Sequence, residues 1–207
     1  MVGALPRVPV THAPVSHWFS RPPRRAGRSD RIRGPRPSRK APPSASPPGP
    51  KDDAALGGLD AARLDRHWAV DARSCVLLTQ AFAGQHDARP GGAVTLLTSG
   101  QHLGPLPGEV AYAAAKSALA GITVTLADQL AEQGIRLNTI NPGPVDTGHL
   151  TNQARRSIAP MFPFGRFGRP DDPARLIAWL ATDEARWVTG QVINSEGGFG
   201  RWRPRGG

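Results

Sequence analysis

Twelve of the 22 prolines in this 207-residue chain fall within residues 1–50. Proline gives no amide hydrogen to a helix interior or an inner strand, so this segment cannot build a packed core. Pro22-Pro23, Pro42-Pro43 and Pro47-Pro48 punctuate it, and its ten Lys or Arg face the single acid Asp30. The net charge of +10 therefore sits almost wholly at the front, with +9 there and +1 over the remaining 157 residues. High net charge with few apolar residues predicts disorder over residues 1–58. A short basic tail occupies 201–207, leaving 59–200 as the globular portion.

Three readings of the arm compete. Arg24, Arg25, Arg28, Arg31, Arg33, Arg36, Arg39 and Lys40 could neutralise phosphates, but only Trp18 and Phe19 offer stacking surfaces and no recognition module is present. An organelle transit peptide shares this Arg- and Ser-rich, acid-poor composition, yet the prolines oppose its amphipathic helix. The favoured reading is a non-native segment from a misplaced or out-of-frame start, since Arg, Pro, Gly, Ala and Ser all have GC-rich codons. The lone Cys75 excludes a disulfide-stapled module and a Cys-rich zinc site, and no metal is expected. No run reaches the roughly 18 apolar residues of a membrane span, and no secretory signal is evident, so a cytoplasmic protein without a membrane partner is expected.

Beyond residue 59, apolar periodicities alternate. Leu64, Trp68, Asp71 or Ala72, Cys75, Leu78 and Phe82 recur every three or four residues and predict an amphipathic helix over 61–85. Residues 93–98 read as a short buried strand. An alanine-rich helix over 109–132, with Leu119, Ile122, Leu126 and Leu130 on one face, closes at Gly134. A strand over 135–140, a helix over 174–181 with Asp172 as N-cap and Pro173 in its first turn, and a strand over 191–194 complete the order. Helices alternating with strands imply an α/β fold, a parallel sheet covered on both faces.

The residue types that carry chemistry cluster at strand ends. Tyr112 and Lys116 are four apart on the alanine-rich helix, so phenol and ammonium share a face. A cation there is expected to lower the tyrosine pKa from about 10. Tyr112 is the only tyrosine, and Lys116 is the only lysine after Lys51 in a stretch with fourteen arginines. A compact ammonium kept where arginine is otherwise used points to a specific contact. Ser99 ends the preceding strand at the carboxyl edge, where open α/β sheets bind ligands. Asn141-Pro142-Gly143-Pro144 follows the next strand at that same edge.

On Ser99, Tyr112-Ala-Ala-Ala-Lys116, Asn141-Pro-Gly-Pro-Val-Asp-Thr147, Gly168-Arg-Pro-Asp-Asp-Pro173 and Thr189-Gly-Gln-Val-Ile-Asn-Ser-Glu-Gly-Gly198, in order and spacing, the chain resembles the short-chain dehydrogenases/reductases. The likeness covers about residues 59–200 and is nearest to the bacterial branch that includes 3-oxoacyl-acyl-carrier-protein reductases. It implies a partial Rossmann-type, doubly wound sheet and hydride transfer between NAD or NADP and a small carbonyl or alcohol substrate. Tyr112 would protonate the carbonyl oxygen. Lys116 would tune Tyr112 and hold the nicotinamide ribose, and Ser99 would orient the substrate. Asn141, Pro142, Gly143, the backbone near Val145 and the Thr147 hydroxyl would face the nicotinamide. Residues 148–168, with Leu150, Met161, Phe162 and Phe164, would form a lid. The family's oligomers use the helix that corresponds to 109–132, which implies a homo-oligomer.

Two departures stand out. The family's catalytic asparagine aligns with Asp71, a carboxylate on the apolar face that must be paired, with Lys116 as one partner, or that raises the Tyr112 pKa. The glycine-rich turn that takes the pyrophosphate is not found, so impaired cofactor binding is expected. The outer edge of the strand ending at Ser99 should be left open, because a proline-rich arm is poorly suited to add a strand. The leading reading is thus an NAD(P)-dependent oxidoreductase, truncated and impaired. A non-enzymatic dimerisation fragment is the rival, and a nucleic-acid-binding arm is a weaker one. Arg155 and Arg156 read as a solvated helix face rather than as a docking site for an acidic carrier.

Overall fold

The computed structural model of the chain describes Trp18–Ser20 and residues 56–200, His149 excepted. The basic run from Arg24 to Lys40, the rest of residues 1–55 apart from Trp18–Ser20, and the 201–207 tail lie outside the described residues, whereas Leu56–Gly58, within the arm assigned to disorder, form a short 3-10 helix. Four strands form one sheet in the order β1 (Trp18–Ser20), β2 (Gly92–Leu97), β3 (Ile135–Asn141) and β4 (Val192–Asn194). β2, β3 and β4 are parallel, with Gly92 opposite Ile135 and Leu97 opposite Ile140.

Helices cover both faces, as the alternating order requires. Val94, Leu96, Ile135 and Leu137 pack with Leu119, Ala127 and Leu130 of α3 (Val110–Ala131) and with Cys75 of α2 (Ser74–Gln85). On the other face, Leu97, Ile140 and Ile193 meet Leu176, Ile177 and Leu180 of α5 (Asp171–Leu180). β2 and β3 are buried on both sides, as inner parallel strands are, whereas β4 at the edge is partly exposed. α3 ends as expected at Gly134, whose φ of +69° suits glycine and whose absent Cβ would lie 3.2 Å from the Arg89 carbonyl.

The edge of β2 is not open. β1 pairs with it antiparallel, Trp18 opposite Thr95 and Ser20 opposite Ala93. Three residues suffice because Trp18, Phe19 and Ser20 form a proline-free island between Pro14 and Pro22, with every amide available.

The expected helix over 61–85 has the right ends but three parts: α1 (Ala61–His67), a π-helical stretch Trp68–Arg73, and α2. Its buried stripe also differs from the periodic reading. His67, Asp71, Cys75 and Thr79 are buried, whereas Leu64, Trp68 and Leu78 are 39%, 50% and 46% exposed. Leu64 and Trp68 stand against Ala111, Ala114 and Ala115 of α3 across an open cavity, which leaves both partly exposed. α5 begins at Asp171, not Ala174, and Asp172 is no N-cap. Its carboxylate instead reaches back to the Arg169 amide (2.7 Å) and the Arg166 guanidinium (2.7 and 3.1 Å). α3 is long and apolar enough to cross a membrane, contrary to the expectation that no segment is. Here it is a core helix, with Lys116 and Thr123 buried on the side that packs on the sheet.

Thr123 and Thr139 lock α3 to β3. The Thr123 hydroxyl donates to the Leu119 carbonyl (2.8 Å) and lies 2.7 Å from the Thr139 hydroxyl, both side chains being fully buried. With its one proton on Leu119, Thr123 accepts from Thr139. Thr123→Val therefore strands a buried donor and should destabilise by about 1–3 kcal/mol. Thr139→Val leaves the Thr123 bond intact and should cost about 1 kcal/mol or less. Denaturant titration measures both, and equal losses would overturn the assigned donor direction.

Candidate active site

The carboxyl end of β2 is tied on two sides. The Thr98 amide donates to the Ile140 carbonyl (2.9 Å), and the Thr98 hydroxyl donates to the Lys116 carbonyl (2.8 Å). These bonds fix the start of α3 against the strand end, so Ser99, Tyr112 and Lys116 converge, and the Ser99 side chain is hydrogen bonded to Tyr112. The Lys116 ammonium, 3% exposed as a residue, donates to the Leu97 carbonyl (3.1 Å). It lies 3.5 Å from one Asp71 oxygen and 5.7 Å from the Tyr112 ring centroid. The other Asp71 oxygen is 2.8 Å from His67 Nδ1. Four of the residues singled out in the sequence, Ser99, Tyr112, Lys116 and Asp71, thus form one cluster.

The electrostatics of that cluster correct one expectation. Burial first, then the charge of Asp71, push the Tyr112 phenol well above its ordinary value; the Ser99 hydrogen bond opposes this and Glu109 adds to it. The Lys116 ammonium is turned to Asp71 and the Leu97 carbonyl. Burial pulls Lys116 itself below the usual lysine value, with Asp71 the chief opposing influence. Asp71 thus both pairs with Lys116 and raises Tyr112. The Cys75 thiol, which donates to the Asp71 carbonyl (3.3 Å), is also pushed up by burial.

The loop after β3 is built from side chains that spend their polar groups on the turn. The Asn141 amide donates to Asn194 Oδ1 (2.9 Å), and its carbonyl accepts the Gly143 amide (3.0 Å). Gly143 has a φ of +65°, and a Cβ there would lie 2.8 Å from that of Glu196, so no other residue fits this turn after Pro142. Val145 forms a parallel bridge with Gly168, and Thr147 is exposed. Asp146 accepts the Gly148 amide (2.9 Å) and pairs with Arg155 (2.6 Å) on α4 (Asn152–Ile158). Arg155 is paired but half exposed, so it stays on a solvated helix face, as expected. Ile158, Phe162 and Phe167 are buried together with Leu150, Met161 and Phe199 around them, but Phe164 is 79% exposed and takes no part.

The sequence reading missed His67 and Thr98. His67 sits four residues before Asp71, a spacing that places two side chains on one helix face and could have drawn attention to it.

A family model described as enoyl-(acyl carrier protein) reductase matches residues 49–200. The chain belongs to the short-chain dehydrogenase/reductase family. An uncharacterized oxidoreductase of Bacillus subtilis, YjdA, is 52% identical over 143 residues, which cover 68% of this chain and 57% of its own length. The 3-oxoacyl-[acyl-carrier-protein] reductase FabG of Thermotoga maritima is 43% identical over 96 residues, covering 45% of this chain and 39% of its own. The crystal structure of BdcA in complex with NADPH superposes with a TM-score of 0.65 at 31% identity, covering 72% of this chain and 62% of that one. The chain thus spans about half the length of the curated relatives it matches.

Tyr112 makes the electrostatics of this family member directly measurable, since no other tyrosine contributes. A phenol raised above its unfolded value of 10.0 keeps its proton in the folded form where the unfolded chain has lost it. The stability so contributed is complete below pH 10 and falls as pH rises through the folded value. In the cofactor-free protein, the ultraviolet step of tyrosinate formation should coincide with the loss of helical circular dichroism. A tyrosinate step below the ordinary phenol range, with the helices intact, would contradict this account.

Proposed function

We propose that the chain carries the nicotinamide-side half of an NAD(P)-dependent oxidoreductase that interconverts small carbonyl and alcohol substrates. The observation that carries this reading is the meeting of Ser99, Tyr112 and Lys116 at the carboxyl edge of β2. Tyr112 is protonated at neutral pH, as any phenol is, and so is in the state a general acid needs to protonate a developing alkoxide; burial and Asp71 raise its pKa further. The Ser99 hydroxyl, hydrogen bonded to Tyr112, orients the substrate oxygen toward it. Lys116 provides a positive charge beneath both, aligned by Asp71 and the Leu97 carbonyl.

The donor set fits the nicotinamide end of NAD or NADP: Lys116 for the ribose, and the Asn141–Pro144 turn with Val145 and Thr147 for the ring. A bound nicotinamide supplies or accepts the hydride. Pyrophosphate needs backbone amides at a helix N-terminus. Among the described residues no glycine-rich turn runs from a strand directly into a helix, and β1 lies antiparallel beside β2. Dinucleotide binding by this chain is accordingly weak.

A second reading, association without catalysis, draws support from the apolar surface left by Leu64, Trp68 and Leu78 on α1 to α2 and by Val124 on α3, 67% exposed. It takes the form of a homo-oligomer through the 109–132 helix, which is compatible with the first reading.

Fluorescence titration with NADH and NADPH should give dissociation constants weaker than micromolar. At millimolar NADPH, reduction of a carbonyl panel should fall by about 10²–10⁴-fold in Tyr112→Phe, with helical content unchanged. Lys116→Arg should be similarly impaired, because a planar guanidinium does not replace a compact ammonium between Asp71 and the Leu97 carbonyl. Turnover that survives in Tyr112→Phe would remove the catalytic reading and leave association.

A further inference from the structure

His67 ends α1 just before the π-helical stretch, is 9% exposed, and presents its ring edge-on to Tyr112 with centroids 6.0 Å apart and planes at 73°. Its Nδ1 lies 2.8 Å from Asp71 Oδ2, while Asp71 Oδ1 lies 3.5 Å from Lys116 Nζ. The three side chains form a continuous array beneath the phenol, none more than 11% exposed. A carboxylate turns readily about its last torsion, which has broad wells. A second anchor on the oxygen away from Lys116 fixes that turn. π-helical insertions concentrate at functional sites, and this one spans the residues that join His67 to Asp71.

We propose that His67 is a positioning residue: it holds Asp71 by one oxygen so that the other stays on the Lys116 ammonium beneath Tyr112. The inference rests on the reading of Tyr112 and Lys116 as the reacting pair. The ionisable groups gathered around the array are Asp71 and Cys75 from its own helical run, and Tyr112, Lys116 and Glu109 from α3 and its N-cap. β2 contributes the neutral Leu97 carbonyl and Ser99 beyond its end.

The test uses the full cofactor-free chain. ¹⁵N-labelled lysine reports on only three ammonium groups. His67→Asn keeps an N–H donor near the Nδ1 position and should leave the solvent exchange of the Lys116 ammonium as in the parent. His67→Phe keeps a ring against Tyr112 but loses the donor, so Lys116 exchange should quicken at least tenfold. Unchanged Lys116 exchange in His67→Phe, or exchange in His67→Asn as fast as in His67→Phe, overturns the proposal. Because no readout needs turnover, an array confirmed in a chain without Tyr112-dependent reduction would count against the reductase reading alone.

Discussion

A lysine that is 3% exposed has to be held by negative charge and by carbonyl oxygens, because an isolated buried ammonium is strongly disfavoured. Lys116 meets that requirement with Asp71 from the first helical run and the Leu97 carbonyl from β2. Its own carbonyl accepts the Thr98 hydroxyl. One residue therefore joins three elements, and the placement of Tyr112 one turn earlier and of Ser99 one residue past Thr98 follows from it. Removing one partner of such a pair leaves an uncompensated charge, so the pair constrains the packing of the first helical run against α3 as well as the chemistry.

The same constraint explains Asp71. The resemblance to the family leads one to expect a neutral amide there, and a carboxylate in its place adds a negative charge to a buried site. That charge raises the Tyr112 phenol and is met by Lys116 on one oxygen and by His67 on the other. Substituting the carboxylate alone would leave one oxygen without a donor inside the protein. His67 and Asp71 make sense as a matched pair.

Much of this was legible in the sequence because it depends on spacing. Tyr112 and Lys116 four apart on an alanine-rich run could only share a helix face, and strand-terminal Ser99 and Asn141 could only lie at one sheet edge. His67 was not legible for a physical reason: hydrophobic periodicity picks out Leu64 and Trp68, whereas the buried stripe, which includes the Asp71 and Cys75 positions that periodicity marked, runs on through His67 and Thr79, which a hydropathy count scores as polar. β1 escaped notice because composition averages over a segment, and proline density around Trp18–Ser20 hides three residues with free amides. The start of α5 was misplaced because Asp172 caps backward from inside the helix, toward Arg169 and Arg166.

The arrangement also separates what this fold positions from what it leaves to other parts. Ser99, Tyr112, Lys116 and Asp71 all hang on the β2 end, the start of α3 and the first helical run, and each is bonded within that unit. The loop after β3 is equally self-contained: Asn141 ties β3 to β4 through Asn194, Gly143 allows Glu196 to approach, and Asp146 draws α4 over the loop through Arg155. None of these contacts passes through β1 or the far edge of the sheet. A site whose geometry is set by its own strand ends and helix faces tolerates variation at that edge, since pairing there, parallel or antiparallel, satisfies the backbone of β2 without touching Ser99, Tyr112 or Lys116. The cluster of Ser99, Tyr112, Lys116 and Asp71 can thus keep its shape while the far edge of the sheet varies independently.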